Sequence, residues 1–79
     1  MAYNIMLVED DNEIAGLVEL YLQNEGYKVF KFNNAQDAIA AINQEEFDLA
    51  LLDIMLPDID GFSICKKIRE RYTYPVIML

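Results

Sequence analysis

Seventy-nine residues make at most one small domain, and a 54% apolar composition excludes a disordered chain. That apolar share is high for so small a globule and points to surface that belongs against something else. A net charge of −8 argues against nonspecific binding of nucleic acid or of an anionic membrane surface. The lone Cys65 excludes an intrachain disulfide and fits a reducing cytosol. The absence of histidine excludes His-based acid–base catalysis, His-ligated zinc and a phosphohistidine carried by this chain. No apolar stretch approaches the ~20 residues needed to span a bilayer. No basic segment with a long apolar run stands at the N-terminus, so a cytoplasmic protein is expected.

Tyr3 to Val8 reads as a first strand. Asp11 or Asn12 can cap the helix that follows, because both side chains accept from free backbone N–H groups. Ile14, Leu17, Val18, Tyr21 and Leu22 recur at helical spacing and predict its inward face. Gly26 supplies the stop. Lys28 to Phe32 reads as a second strand, and Asn33 or Asn34 caps a second helix with Ala35, Ala38, Ile39 and Ile42 on one face. Asp37 sits in its first turn, where the helix dipole favours an acid.

Phe47 to Leu52 reads as a third strand, buried on both faces and running straight into Asp53. The loop Ile54 to Asp60 carries Pro57. Gly61 opens a third helix with Ile64, Cys65, Ile68 and Tyr72 inward. Its basic residues, Lys66, Lys67, Arg69 and Arg71, read as a solvated side. Pro75 begins a final apolar run, Val76 to Leu79, a fourth strand. Strands alternating with helices predict an α/β fold with a mostly parallel sheet. A sheet ending on Val-Ile-Met-Leu has an apolar, unprotected edge and no helix to cover one face beside it. The expectation is therefore one incomplete domain, residues 1–79, forming part of a longer fold.

Two strands of this chain end in carboxylates: Glu9-Asp10-Asp11 after the first, Asp53 after the third. If those strands are neighbours, Glu9, Asp10 and Asp53 converge. Like charges so close repel, and a divalent cation relieves the repulsion. An all-oxygen donor set favours Mg²⁺, Mn²⁺ or Ca²⁺ over zinc. A carboxylate beside such an ion can attack a phosphoryl group and form an aspartyl phosphate. Asp11 reads as a cap, and Asp58 and Asp60 as turn residues. The aromatic residues Tyr21, Phe30, Phe32, Phe47 and Tyr72 read as core or half-buried surface. The glycines form no phosphate-binding fingerprint.

The runs Leu7-Val8-Glu9-Asp10-Asp11, Asp53-Ile54-Met55-Leu56-Pro57-Asp58-Ile59-Asp60-Gly61-Phe62 and Pro75-Val76-Ile77-Met78-Leu79 resemble the receiver domain of bacterial two-component response regulators. The resemblance covers the whole chain in order. It implies a flavodoxin-like (CheY-like) sheet, with helices on both faces and strand order 2-1-3-4-5. It implies Asp53 as phosphoacceptor, with Glu9, Asp10, Asp53 and the Met55 backbone carbonyl holding Mg²⁺. Pro57 and Gly61 shape the loop. A sensor histidine kinase is the implied phosphoryl donor, so the chain is not an enzyme with an outside substrate. The family's Ser or Thr after the fourth strand and its Lys after a fifth have no counterpart here; Thr73 precedes the fourth strand. The resemblance extends to regulators that carry a winged-helix DNA-binding domain, by analogy only.

Two readings stand. One is a signalling module phosphorylated on Asp53 with Mg²⁺. The other is a structural half-fold, βαβαβαβ, that self-associates and lacks signalling activity. The apolar fourth-strand edge predicts a homo-oligomer, a dimer for instance, in either case.

Overall fold

The strands form where apolar runs are short and bounded by polar or turn residues. The structure, a computed structural model, describes residues 2–79. It comprises β1 (Asn4–Val8), α1 (Asn12–Asn24), β2 (Lys28–Phe32), α2 (Ala35–Gln44), β3 (Leu49–Leu52), α3 (Gly61–Arg69) and β4 (Val76–Met78). All pairings are parallel and the order is β2-β1-β3-β4. This is the α/β receiver-type arrangement that the resemblance implied, over four strands.

The parity of the central strands builds two cores, because alternate residues face opposite sides of a sheet. Met6 and Val8 of β1, with Ala50 and Leu52 of β3, point to the side covered by α2 and α3. There they meet Ala35, Ala38, Ile42, Ile64 and Ile68. Ile5, Leu7 and Leu51 point the other way, onto Ala15 of α1, with Val18 and Leu22 beside it. Phe47 is buried against the first core and meets Phe30 edge-on at 5.4 Å.

The helix signals act as the sequence implies at most ends. Asp11 caps α1, accepting from the N–H groups of Glu13 and Ile14. Asn34, rather than Asn33, caps α2 through the N–H of Asp37. Gly26 takes φ +91°, a conformation costly for any residue with a Cβ. The basic residues of α3 and its C-terminal flank are exposed, as expected of a solvated side.

The inward face of α1 differs from expectation. Ile14, Leu17 and Tyr21 are 48%, 58% and 68% exposed, and Leu20 is also exposed. The helix is apolar around most of its circumference, so helical spacing admits more than one stripe. Ala15, Val18 and Leu22 form the stripe that packs. Tyr21 is thus surface rather than core. Strand limits also shift: β1 starts at Asn4, β3 at Leu49, and β4 ends at Met78. Phe47 is buried before β3 begins, because Asp48 is held by β1, its N–H on the Asn4 carbonyl and its carboxylate on the Asn4 N–H. α3 closes at Arg69, so Tyr72 reaches the core from beyond the helix; Cys65 and Ile39 are half-buried rather than buried.

On the α1 side the sheet is covered over β1 and β2 and open over β3 and β4. The open part is a groove of about 490 Å³ lined by Tyr3, Ile5, Leu22, Leu49, Leu51 and Ile77, among others. β4 forms one sheet edge, with Ile77 48% exposed. No helix among the described residues is long and apolar enough to cross a membrane.

Candidate phosphoacceptor site

The register of β1 on β3 sets Val8 opposite Leu52, so the next residue of each strand, Glu9 and Asp53, emerges at the same sheet edge. The ladder bonds continue one step beyond the strands. The Glu9 N–H donates to the Phe32 carbonyl at 3.0 Å, and the Asp53 N–H to the Val8 carbonyl at 2.9 Å. Both acids are therefore anchored by backbone bonds on the central strands and not carried on loose loops.

Carboxylate oxygens of Glu9, Asp10 and Asp53 all lie within 4.8 Å of one another. Glu9 is buried at 7% exposure, Asp10 is exposed and Asp53 lies between. The Glu9 Oε2 atom is buried with no hydrogen-bond donor in reach. An ionised carboxylate is costly in that setting. Burial, reinforced by Asp53, pushes the Glu9 carboxyl up to about 7. Asp53 moves the opposite way: a hydrogen bond with Glu9 holds it below its ordinary value. Two carboxylates can share such a bond only if one carries the proton, and the buried Glu9, its carboxyl raised, is the one disposed to keep it. Asp53 stays ionised, its Oδ1 accepting from the Met55 N–H at 3.2 Å.

This donor set fits a hard divalent cation. It offers three carboxylates, one of them with an orphaned buried oxygen, and neither sulfur nor nitrogen. The Met55 side chain is 79% exposed and projects away from any core, so only its backbone is available to such a site.

The loop beyond Asp53 returns tightly. The Gly61 N–H donates to the Ile54 carbonyl at 2.9 Å. A Cβ on Gly61 would strike the Asp53 carbonyl oxygen and come within 2.8 Å of the Met78 methyl. Glycine is thus required for α3 to start against the backbone of the acidic strand end.

Two acids here do more than shape a turn. Asp60 caps α3, accepting from the Ser63 N–H at 2.9 Å. Asp58 caps α2 from outside that helix: its two carboxylate oxygens accept from the Ala35 and Gln36 N–H groups, each at 2.9 Å. The spacing from Asp60 to Ser63 is a legible cap signal. The Asp58 contact crosses more than twenty residues of chain, and no local pattern announces it.

Comparison with known proteins agrees with this geometry. The model of the response regulator receiver domain family matches residues 5–79. The chain is 56% identical to the regulatory protein VanR of Enterococcus faecium over 79 residues, all of this chain and 34% of that protein. It thus spans about a third of the curated relatives it matches. Among solved structures, a CheY-like receiver domain protein from Methanospirillum hungatei JF-1 superposes with a TM-score of 0.92 at 35% identity, over 99% of this chain and 63% of that one. The BeF3-activated receiver domain of Klebsiella pneumoniae RstA gives 0.88 at 36% identity, over 95% and 64%. The chain belongs to the response regulator receiver domain family, and its fold is that of a receiver of two-component signalling over the four strands present.

Proposed function

We propose that this receiver accepts a phosphoryl group on Asp53 from the phosphohistidine of a sensor kinase, with Mg²⁺ held by Glu9, Asp10, Asp53 and the Met55 carbonyl. The observation that carries this reading is the convergence of Glu9, Asp10 and Asp53, whose carboxylate oxygens lie within 4.8 Å of one another at the ends of β1 and β3. Within it Asp53 is held below its ordinary carboxyl value, as suits a nucleophile, while burial raises its neighbour Glu9.

The Met55 N–H engages one Asp53 oxygen. The other, Oδ2, attacks phosphorus. The new bond is O–P, the bond broken is P–N to the imidazole, and the electron pair leaves on the imidazole nitrogen. A bound Mg²⁺ supplies charge neutralisation for the phosphoryl oxygens and relieves the repulsion among the acids. The backbone anchors of Glu9 and Asp53 keep the acids in place throughout, so little reorganisation accompanies the transfer. Receiver domains are generally not enzymes in the ordinary sense; the partner here is a kinase and the location the cytoplasm.

The test is chemical. With phosphoramidate as a P–N donor and Mg²⁺, the chain should gain a hydroxylamine-labile phosphoryl group that Asp53→Asn does not gain. A label stable to hydroxylamine, or equal in both proteins, would overturn the assignment.

A second reading has its own support. The open groove and the β4 edge, with Ile77 exposed at their junction, favour self-association of this chain. Sedimentation at increasing concentration tests it: a rising dimer fraction is expected, and monomer throughout would refute it.

A further inference from the structure

The loop between β3 and α3 carries the Met55 backbone, yet most of its side chains face solvent. Ile54, Met55, Pro57, Asp58, Ile59 and Asp60 are all exposed, and only Leu56 is half-buried against the α2–α3 core. Its N-terminal end is fixed by the Met55 N–H on Asp53 and by the Gly61 N–H on the Ile54 carbonyl. Its C-terminal end is fixed by Asp60 on Ser63. Between these anchors one polar side chain ties the loop to another element. Asp58 Oδ1 accepts from the Ala35 N–H at 2.9 Å and from the Ile59 N–H at 3.1 Å, and Oδ2 accepts from the Gln36 N–H at 2.9 Å.

This contact is more than α2 needs for itself. The helix already has a local cap, Asn34, whose Oδ1 takes the Asp37 N–H at 2.8 Å, backed by Asn34 Nδ2 on the Asp37 carboxylate. Asp58 takes the first two N–H groups that the local cap leaves unfilled, and its charge faces the positive end of the helix dipole. Such charge-assisted bonds are short, directional and stronger than neutral ones. α2 is in turn locked to the sheet by three buried residues, Ala35, Ala38 and Ile42. The loop is therefore clamped, through Asp58, to a helix that cannot shift without disturbing the core.

We propose that Asp58 is a positioning residue for the reaction at Asp53: clamped on the first turn of α2, it fixes the β3–α3 loop and with it the Met55 carbonyl of the cation site. The proposal rests on the phosphoacceptor reading and deepens it. Asp58 touches neither the substrate nor the ion; it acts by holding the segment that does. Groups that orient a ligand from behind the coordinating shell commonly change metal affinity by about tenfold or more when removed.

The test compares Asp58→Ala with Asn34→Ala in the full chain. Each removes bonds to the first turn of α2, but only the first frees the loop. In metal-free protein, amide exchange at Met55 and Gly61 should rise in Asp58→Ala and stay near the parent value in Asn34→Ala. The dissociation constant for Mg²⁺ should rise about tenfold in Asp58→Ala and little in Asn34→Ala. Asp58→Glu keeps a carboxylate and should recover part of both effects. Faster exchange confined to the start of α2, or a loosened loop with unchanged Mg²⁺ affinity, would overturn the proposal. If the parent chain takes up no Mg²⁺, the cation-site reading fails and takes the positioning role with it, whatever the loop exchange shows.

Discussion

Replacing Glu9 by glutamine should remove a pH dependence of stability that the parent chain carries in the absence of metal. The Glu9 carboxyl rises from 4.5 to about 7 on folding. Between those values the folded protein keeps a proton that the unfolded chain has released. The native state therefore binds more protons, and stability falls as pH rises through this window. That difference is worth roughly 1–3 kcal/mol once partial solvation of the pair is allowed for, lost progressively and then constant above about pH 7. Asp53 acts in the opposite sense at lower pH: its depressed carboxyl adds stability above 3.8 that is lost as pH falls through its folded value. The two share one proton, so the measured transition belongs to the pair. Urea denaturation followed by circular dichroism, in chelator from about pH 5 to about pH 8, reads the slope directly. Glu9→Gln should flatten the upper part of the curve and be the more stable protein at neutral pH. Mg²⁺ at about a hundred times its dissociation constant should restore about 2.7 kcal/mol to the parent at neutral pH. An unchanged slope in Glu9→Gln would show that the proton is held elsewhere.

Other outcomes follow from packing. Gly61→Ala should destabilise by about 1–3 kcal/mol, because its Cβ meets the Asp53 carbonyl, whereas Gly16→Ala, with open space around it, should gain about 0.5–1 kcal/mol of helix stability. Thermal melts of the two variants should move in opposite directions, and a common direction would contradict the close approach at Gly61. Phe47→Ala should cost about 3–5 kcal/mol, since Phe47 is 1% exposed and fills the core beneath α2; a loss below about 1 kcal/mol in urea titration would contradict its burial. Ile77→Lys places a charge on the β4 edge and in the open groove, and should shift sedimentation toward monomer; an unchanged dimer fraction would place any self-association on another surface.

Much of the architecture was legible because local rules agree. Apolar runs closed by acids or turn residues marked the strands, and their shared carboxyl edge brought Glu9 and Asp53 together as expected. The strand order came from family resemblance, since periodicity alone does not decide which strands are neighbours. The packing face of α1 was not legible. Ile14, Leu17 and Tyr21 satisfy helical spacing as well as Ala15, Val18 and Leu22 do, and only the sheet decides between them. The raised carboxyl of Glu9 was also hidden, because it depends on burial and not on residue type. Asp58 looked like any turn acid, since the N–H groups it binds belong to a helix distant in sequence. Spacing rules recover contacts within a turn or a helix; contacts between a loop and a remote helix end become visible only in three dimensions.

In the proposed function a carboxylate oxygen of Asp53, set among the acids Glu9 and Asp10, accepts the phosphoryl group. The most direct measurement is intact mass after incubation with acetyl phosphate and Mg²⁺, with Asp53→Asn and Asp10→Asn alongside. One phosphoryl group is expected on the parent, none on Asp53→Asn, and a sharply reduced yield on Asp10→Asn. An adduct that persists on Asp53→Asn, or an unmodified parent that still binds Mg²⁺, would contradict it.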